Sequence, residues 1–133
     1  MIDKINVFKK LRCDGSNKAL VVNAPKEYLD ILVGVEYDSI PLVEKERFYD
    51  FVQVFATSQS ELERLVVEAG KAAQYDCLFW ACYPKGTGKI KSDIKRETVW
   101  AAFHLIGLEA VTQVAIDETW SALRGRPVEM VGK

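Results

Sequence analysis

The chain has 133 residues, a length that suits one domain with a single core. Its apolar fraction of 49% and charged fraction of 28% are ordinary for a globular protein, so the composition disfavours disordered, collagen-like and coiled-coil chains. The formal net charge is -1 with both signs interspersed, so the chain lacks the basic excess on which sequence-independent nucleic-acid binding depends.

The sequence contains no segment that resembles an export signal or a membrane span. Residues 1–6 are interrupted by charges and lack the apolar centre of a signal peptide. The longest uncharged apolar run, residues 77–83, is far shorter than the roughly 20 residues that a membrane-spanning helix needs. We therefore expect a soluble, cytoplasmic protein that contacts neither membrane nor nucleic acid.

The first third of the chain predicts a strand followed by a helix. Residues 1–17 form an N-terminal amphipathic segment with apolar residues at helical spacing. The β-branched run 19–22 predicts a strand, and Pro25 fits the first turn of the helix that follows it. We expect this helix to extend to about Leu32 and to end at Gly34.

The middle of the chain repeats this order. Residues 35–43 have weaker strand character, and residues 49–56 predict a second strand. Ser58 and Glu61 have the spacing of a capping box, which begins an amphipathic helix. The continuous apolar run 77–83 is typical of a central strand that helices cover on both faces.

The last third predicts one more helix and a hairpin. Ser92 or Asp93 is expected to cap a helix that extends to about Ile106 and ends at a glycine. The runs 111–116 and 119–123 are strand-like and are separated by a tight turn, so they predict two antiparallel strands.

Strands that alternate with helices of this length define the fold class. They predict an α/β protein, a Rossmann-like three-layer sandwich with a mostly parallel sheet and right-handed crossovers. The C-terminal antiparallel hairpin is expected to add one antiparallel strand at the edge. We assign the single α/β domain to residues 18–124 and a C-terminal tail to residues 125–133.

The three cysteines do not have the spacing of a metal site. Cys13, Cys77 and Cys82 are an odd number without a C-x-x-C pair. Cys77 and Cys82 are separated by an odd number of positions in one predicted strand, which places them on opposite faces of the sheet. The sequence therefore predicts buried, reduced thiols, with no metal site and no disulfide framework.

In an open parallel sheet, ligands bind beyond the carboxyl ends of the strands, where loops and helix N-termini gather. The candidate ligand-binding residues in the loops at that edge are Asn23, Ser58, Tyr83, Lys85, Gly86, Lys89, Lys91, Asp117, Glu118 and Trp120.

The lysine-rich loop 84–91 allows two interpretations. Its lysines and glycines precede a helix, a combination that either holds a small anionic ligand or forms a solvated surface loop. It is not a phosphate-binding P-loop, because Lys89 is followed by Ile90 where Ser or Thr would bind magnesium.

No catalytic residue can be assigned from the sequence. Asp117 and Glu118 form either an acid/base pair beside an aromatic ring or an ordinary turn whose carboxylates bind turn amides. The only histidine, His104, lies near the far end of its helix, so we expect it to be distant from Ser58 and Ser121. The sequence therefore disfavours a Ser-His-Asp triad.

One side of the last predicted helix is a candidate interface. Arg96, Trp100 and His104 lie along its polar side, opposite a broad apolar side. A tryptophan beside an arginine is typical of interface anchors. The alternative is a Trp100 side chain that lies flat on its own surface or against the C-terminal tail.

Four short motifs carry a family resemblance: Val-Asn-Ala-Pro at 22–25, Tyr-Pro-Lys at 83–85, Ser-Asp-Ile at 92–94 and Ile-Asp-Glu-Thr-Trp-Ser-Ala-Leu at 116–123. In these motifs and their spacing the sequence resembles a bacterial family of small α/β proteins called domain of unknown function 3052. The resemblance spans most of residues 18–124. It implies a bacterial cytoplasmic protein and assigns no activity or catalytic residue.

The order of the last elements is also similar to the second half of a class I methyltransferase sheet. Those enzymes need a glycine-rich turn after the first strand for the adenosylmethionine carboxylate, where this chain has Asn23, Ala24 and Pro25. We therefore expect a shared architecture only and no bound cofactor.

Two functional hypotheses follow. The first is a Rossmann-like binding or interaction module without evident catalytic machinery, which self-associates as a homodimer or binds a protein partner. The second is an enzyme or small-molecule sensor that binds an anionic ligand between loop 84–91 and the turn 117–121, with Trp120 stacked on the ligand. The second hypothesis requires that the loop and the turn lie close together.

Overall fold

The computed structural model describes residues 4–13, 18–40, 47–86 and 88–132. The helices are α1 (Lys4–Leu11), α2 (Lys26–Leu29), α3 (Gln59–Ala72) and α4 (Arg96–His104), and a short 3-10 helix spans Val128–Met130. The strands are β1 (Ala19–Val22), β2 (Tyr37–Asp38), β3 (Tyr49–Phe55), β4 (Ala73–Pro84), β5 (Leu108–Ala115) and β6 (Trp120–Pro127).

The strands within the described residues form one six-stranded sheet in the order β2-β1-β3-β4-β6-β5. Strands β1 to β4 are parallel to one another, and β6 is antiparallel to both of its neighbours. The predicted α/β class, mostly parallel sheet and C-terminal hairpin are therefore confirmed.

The position of the antiparallel strand differs from the prediction. Strand β6 lies inside the sheet, between β4 and β5, and β5 forms the edge. The burial of side chains explains this order. Strand β6 contributes Trp120, Ala122 and Leu123 to the core, whereas β5 exposes Thr112 and Gln113. The more apolar of the two strands occupies the covered position.

The core consists of two apolar layers, one on each face of the sheet. Phe79, Ala81 and Tyr83 of β4 pack in the layer that contains α3 and α4. Trp80 and Cys82 of the same strand pack in the layer that contains α1 and α2. The continuous apolar run that predicts a central strand thus corresponds to a strand covered on both faces.

Helix α3 begins as its sequence predicts. The Ser58 hydroxyl accepts a hydrogen bond from the Glu61 amide at 3.3 Å, and the Glu61 carboxylate accepts one from the Thr57 amide at 3.1 Å. The buried side of the helix is apolar and packs on the sheet.

Helix α2 is shorter than predicted. It ends at Leu29, and the chain continues to Leu32 in turns in which the Ile31 amide bonds the Tyr28 carbonyl at 3.0 Å. Gly34 adopts φ +84° at the end of these turns, so it ends the turns and not, as predicted, the helix. Of the predicted strand at 35–43, only β2 is formed within the described residues, and 41–43 lie outside them.

Both boundaries of the predicted domain are too narrow. Helix α1 contributes Val7 and Leu11 to the buried core, so the N-terminal segment belongs to the domain. Strand β6 continues to Pro127, so the first residues of the predicted tail complete the sheet. The prediction missed this extension because Arg124 and Arg126 interrupt the apolar pattern.

Two irregularities change the outline of the sheet. The pairing of β3 with β4 passes from Tyr49 and Ala73 directly to Phe51 and Leu78, so residues 74–77 bulge out of β4. A smaller bulge interrupts β5 between Ala110 and Thr112.

The bulge in β4 is held by an ion pair. Asp76 has a left-handed backbone with φ +55°, and its carboxylate accepts two hydrogen bonds from the Arg126 guanidinium at 2.9 and 2.8 Å. This forked pair joins the start of β4 to the end of β6 and lowers the pKa of Asp76, the hydrogen bond being the main cause.

Gly125→Ala should destabilise the protein. A Cβ at this position would lie 3.1 Å from Phe103 and from Leu108 in the layer beneath α4. We expect the free energy of unfolding, measured by urea denaturation, to fall by about 1–3 kcal/mol, as for other overpacked cores. Gly86→Ala is the matched control, because nothing lies within 4 Å of the added Cβ. Equal stability of the two variants would contradict the packing described for α4.

Candidate functional site

The carboxyl ends of β1 and β3 form the position at which ligands bind in open α/β sheets. Strand β2 lies on one side of β1, and β3, the next strand along the chain, lies on the other side. The strand order therefore reverses between β1 and β3, which is the topological switch point of the sheet. Asn23 follows β1 with φ +62°, and its side-chain amide donates a hydrogen bond to the Phe55 carbonyl at 2.8 Å. The Asn23 side chain therefore bridges the crevice.

The N-terminus of α3 at the same edge is capped by the chain itself. The Gln59 amide donates a 2.7 Å hydrogen bond to the carboxylate of Asp93. Asp93 thus occupies the place that an anionic ligand takes at a helix N-terminus.

The predicted cap of α4 needs correction for the same reason. Asp93 caps α3 rather than α4, and the Ser92 hydroxyl accepts a hydrogen bond from the Ile94 amide at 3.0 Å. Helix α4 begins only at Arg96, where the Thr98 hydroxyl accepts a bond from the Lys95 amide at 2.8 Å. It ends at His104, just before the predicted Ile106.

The lysine loop and the β5–β6 turn lie together, as the second hypothesis requires. The Lys85 amide donates a hydrogen bond to the Thr119 carbonyl at 2.8 Å. A Cβ at Gly88 would lie 3.7 Å from the Glu118 carbonyl oxygen, so the two loops are in close contact. Lys85 is half-buried, and Gly86, Lys89 and Lys91 are exposed.

Asp117 is a structural residue of the turn. Its carboxylate accepts hydrogen bonds from the Thr119 amide at 2.7 Å and the Trp120 amide at 2.8 Å. These two hydrogen bonds favour the interpretation of Asp117 and Glu118 as an ordinary turn. Glu118 is exposed to solvent.

Trp120 is not available to a ligand. Its side chain is 3% exposed and meets Phe55 edge-on, with ring centroids 5.2 Å apart. The predicted stacking of Trp120 on a bound ligand is therefore wrong. The burial of Trp120 follows from the internal position of β6, which the sequence does not reveal.

Tyr83 lies at this edge but faces the layer beneath α4. Its hydroxyl accepts a 3.2 Å hydrogen bond from the Gln113 side chain. Burial raises the pKa of the phenol, while the nearby charge of Arg96 lowers it and that of Glu97 raises it. Tyr83 is therefore a neutral hydroxyl that packs near the start of α4.

The candidate interface residues share one exposed side of α4. Arg96, Trp100 and His104 are all exposed, with 42% of Trp100 accessible to solvent. The His104 ring nitrogen Nε2 lies 3.4 Å from a carboxylate oxygen of Glu109 on β5. His104 is the last residue of α4.

The cysteines are separated as expected. Cys77 packs in the layer of α3 and α4, and Cys82 packs in the layer of α1 and α2. Burial raises the pKa of each thiol to about 12, so both remain protonated near neutral pH. All three cysteines are free thiols.

A buried polar chain lies beneath the carboxyl edge, and the sequence analysis did not include it. The Tyr28 hydroxyl donates to the Gln53 side-chain oxygen at 3.1 Å, and the Gln53 amide nitrogen lies 3.5 Å from the Cys82 sulfur. Gln53 is fully buried in β3. A lone Gln inside the apolar run 49–56 was the available signal.

A cavity of about 420 Å³ lies at the opposite edge of the sheet from the predicted loops. Its lining includes Gly70, Tyr75, Cys77, Ile106, Leu108 and Glu129. Residues 74–77 of the bulge in β4 line this space, which the sequence does not predict. The cavity and the lysine loop are separate features, because they lie at opposite ends of the parallel strands.

Two features are absent from the described residues. These residues contain no group of three or more His, Cys, Asp or Glu side chains placed to hold a metal ion. None of the helices in the described ranges is both long and apolar enough to cross a membrane.

Comparison with known proteins identifies the class of fold. A SAM-dependent methyltransferase from Aquifex aeolicus has a TM-score of 0.57 at 11% identity, over 93% of this chain and 89% of that one. The cyclase SpnF has a TM-score of 0.56 at 10% identity, over 94% of this chain and 80% of that one. A SAM-dependent methyltransferase from Thermotoga maritima is described as a possible histamine N-methyltransferase. It has a TM-score of 0.51 at 9% identity, over 93% of this chain and 89% of that one.

The chain thus has the Rossmann-like fold of SAM-dependent methyltransferases, and identities this low establish the fold alone. No family model matches the chain, and no curated protein is significantly similar to it in sequence. The resemblance to domain of unknown function 3052 therefore stays a prediction.

The residues at the carboxyl edge do not fit S-adenosylmethionine. Dinucleotide and nucleoside sites of this kind use a glycine-rich turn after the first strand and an acidic residue after the second. Here Asn23 bridges the crevice, and the carboxylate of Asp38 on β2 accepts a hydrogen bond from the Tyr49 hydroxyl. The glycine-rich turn is also missing, because Asn23, Ala24 and Pro25 follow β1 directly, and Asp38 is level with Leu20 rather than with the last residue of β1.

Asp93→Ala should destabilise the protein by removing the acceptor of the Gln59 amide, one of the hydrogen bonds that cap α3 beside that of Ser58. We expect the free energy of unfolding to fall by about 1 kcal/mol, the usual cost of losing a capping side chain. Asp93→Asn keeps an acceptor oxygen and should lose less. Glu118→Ala removes an exposed acid from the same edge and serves as the control in thermal or urea unfolding. If Glu118→Ala is as destabilised as Asp93→Ala, the cap is not the cause.

Proposed function

We propose that this protein is a Rossmann-like interaction module without evident catalytic machinery, and that it self-associates through the exposed side of α4. The observation that carries the proposal is the Trp100 side chain, which is 42% exposed between Arg96 and His104. In keeping with the resemblance noted in its sequence, we infer a bacterial, cytoplasmic setting.

The carboxyl edge supports a role that does not depend on a nucleotide cofactor. Asn23 bonds across the crevice, and Asp93 caps the helix beside it. These contacts engage the Asn23 side-chain amide and the Gln59 amide at the start of α3. A surface away from this edge is then the better candidate for function.

The side of α4 is complementary to itself. In an antiparallel pair of helices that cross at Trp100, the two indole rings meet at the two-fold axis. Position 96 of one copy then faces position 104 of the other, because both are four residues from Trp100. Glu109, held 3.4 Å from His104, provides a carboxylate for the opposing Arg96. Two symmetric Arg–Glu contacts would flank a central pair of tryptophans.

Apolar surface next to the helix adds to this interface. Leu105, directly after α4, is 57% exposed, although helical spacing alone places it on the buried side. Tryptophan and arginine are the residues that most often dominate binding energy at interfaces.

Trp100→Ala should dissociate the dimer. An interface tryptophan contributes about 2 kcal/mol or more, so the dimer dissociation constant should rise by roughly thirtyfold. Sedimentation equilibrium measures the constant, and native mass spectrometry reports the subunit count. Val33→Ala is the control, because it also removes an exposed apolar side chain but far along the chain from α4. A monomeric wild-type protein would refute self-association.

Charge reversal tests the orientation of the two copies. Arg96→Glu and Glu109→Arg should each weaken the dimer, because each places like charges opposite one another. The double variant restores opposite charges and should recover most of the affinity. Failure of the double variant to recover, with both single variants weakened, would rule out the antiparallel arrangement.

A second candidate function is the binding of a small anionic ligand at the lysine loop. The observation that favours it is the 2.8 Å hydrogen bond from the Lys85 amide to the Thr119 carbonyl, which brings the loop against the β5–β6 turn. The ligand would contact Lys85, Lys89 and Lys91 on the surface, without the Trp120 ring. Small ligands are consistent with the methyltransferase-like fold.

Lys85→Ala combined with Lys89→Ala should abolish binding at this loop. Native mass spectrometry of freshly purified wild-type protein should then reveal a retained anionic small molecule, and the double variant should lack it. A wild-type spectrum free of ligand, or a ligand retained equally by both proteins, would exclude this second function. The Trp100→Ala variant should retain the ligand.

A further inference from the structure

Three arginines gather on the face of the sheet that α1 covers. Arg124 of β6 lies directly opposite Trp80 of β4. The Trp80 indole donates a 3.1 Å hydrogen bond to the carbonyl of Leu11 at the end of α1. Arg12 follows at once, and Arg126 lies two positions beyond Arg124, on the same side of the strand. The three guanidinium groups thus belong to one region, around the end of α1.

The Arg124 guanidinium is incompletely satisfied. Its Nε atom is buried and has no hydrogen-bond partner within the described residues. A buried donor without a partner is costly, and no described residue offsets this cost for Arg124. Burial lowers the pKa of Arg124, and the charges of Arg12 and Arg126 lower it further, so the three charges are close enough to repel one another.

The carboxylate that lies near these arginines is already engaged. Asp76 accepts two hydrogen bonds from Arg126, at 2.9 and 2.8 Å. No ion pair joins the side chain of Arg12 or Arg124 to any residue in the part of the chain that the structure describes. Arg12 and Arg124 therefore have no directly paired carboxylate among the described residues, and Asp76, which is bonded to Arg126, is the carboxylate whose charge acts on Arg124.

The backbone around Arg12 adds a further observation. The Cys13 amide bonds the Phe8 carbonyl at 2.9 Å and the Arg12 amide bonds the Lys9 carbonyl at 3.2 Å, which together form a Schellman motif. Arg12 occupies the left-handed position of this motif with φ +62°. Glycine or asparagine is favoured there, so helix termination does not account for an arginine at this position.

We propose that Arg12 and Arg124 form an oxyanion site that takes a phosphate group, with Arg126 as a third positive charge held in place by Asp76. Guanidinium groups present planar, forked donors that match phosphate oxygens, and a bound phosphate would neutralise the charges of Arg12 and Arg124 and relieve their repulsion. This site is separate from the lysine loop and from the exposed side of α4, and it depends on neither proposed function.

The test is titration of inorganic phosphate into the full chain at constant ionic strength, with sodium chloride as the balancing salt. Isothermal calorimetry gives the dissociation constant, and thermal unfolding gives the stabilisation by phosphate. We expect wild-type protein to bind phosphate and Arg124→Gln to bind it about tenfold more weakly or worse, since hydrogen bonds to charged groups are strong. Arg12→Asn, which suits the left-handed backbone, should weaken binding in the same direction.

The control is the Lys85→Ala and Lys89→Ala double variant, which should bind phosphate at this site as wild type does. Titration of a phosphate monoester such as glycerol 2-phosphate shows whether the site takes the phosphate group of a small molecule or the free phosphate ion. Equal or tighter binding of the ester identifies a phosphorylated small molecule, and binding of phosphate alone identifies the free ion.

Two results would overturn the proposal. The first is a wild-type protein that responds to phosphate no more than to chloride. The second is unchanged phosphate affinity in both arginine variants, even if they unfold at lower temperature in chloride. That second pattern would mean that the arginines only stabilise the negative, C-terminal end of α1.

Discussion

Strand β4 has to be covered on both faces, and the arrangement of the other elements follows from this requirement. Phe79 and Tyr83 need one apolar layer, which α3 and α4 provide, while Trp80 needs another, which α1 and α2 provide. The strand must also have apolar neighbours, and β3 and β6 occupy those positions. The insertion of β6 displaces the polar strand β5 to the edge. The internal antiparallel strand is therefore a consequence of where apolar side chains can be buried.

The same geometry gathers several loops at the carboxyl edge, yet the residues there bond mainly to one another. Asn23 joins two strand ends, Asp93 caps α3, and Asp117 binds its own turn amides. A fold shared with methyltransferases thus carries an edge whose local chemistry differs from that of a cofactor site. Proteins with the same fold can differ in function because single side chains at the site differ. A polar group that is already hydrogen-bonded within the protein offers little to a ligand.

Much of the fold follows from patterns within short segments. The apolar run 77–83 and the spacing of Ser58 and Glu61 predict their elements because their causes are local. The features that the sequence does not predict depend on distant partners: Asp93 caps a helix that begins at Gln59, and Asp76 pairs with Arg126. The close approach of the lysine loop to the turn could be anticipated from topology, whereas the burial of Trp120 could not, because it depends on the order of strands. The grouping of Arg12 with Arg124 likewise requires knowledge of where α1 ends.

The bulge in β5 makes the exposed edge of the sheet a poor partner for a strand of another molecule. An exposed edge strand offers unpaired backbone groups to the edge of another sheet, and regular, apolar edges are starting points for aggregation. The bulge between Ala110 and Thr112 breaks the regular spacing of these groups, and the exposed side chains of Thr112 and Gln113 make the edge polar. Indefinite growth by strand addition is thereby disfavoured on this side.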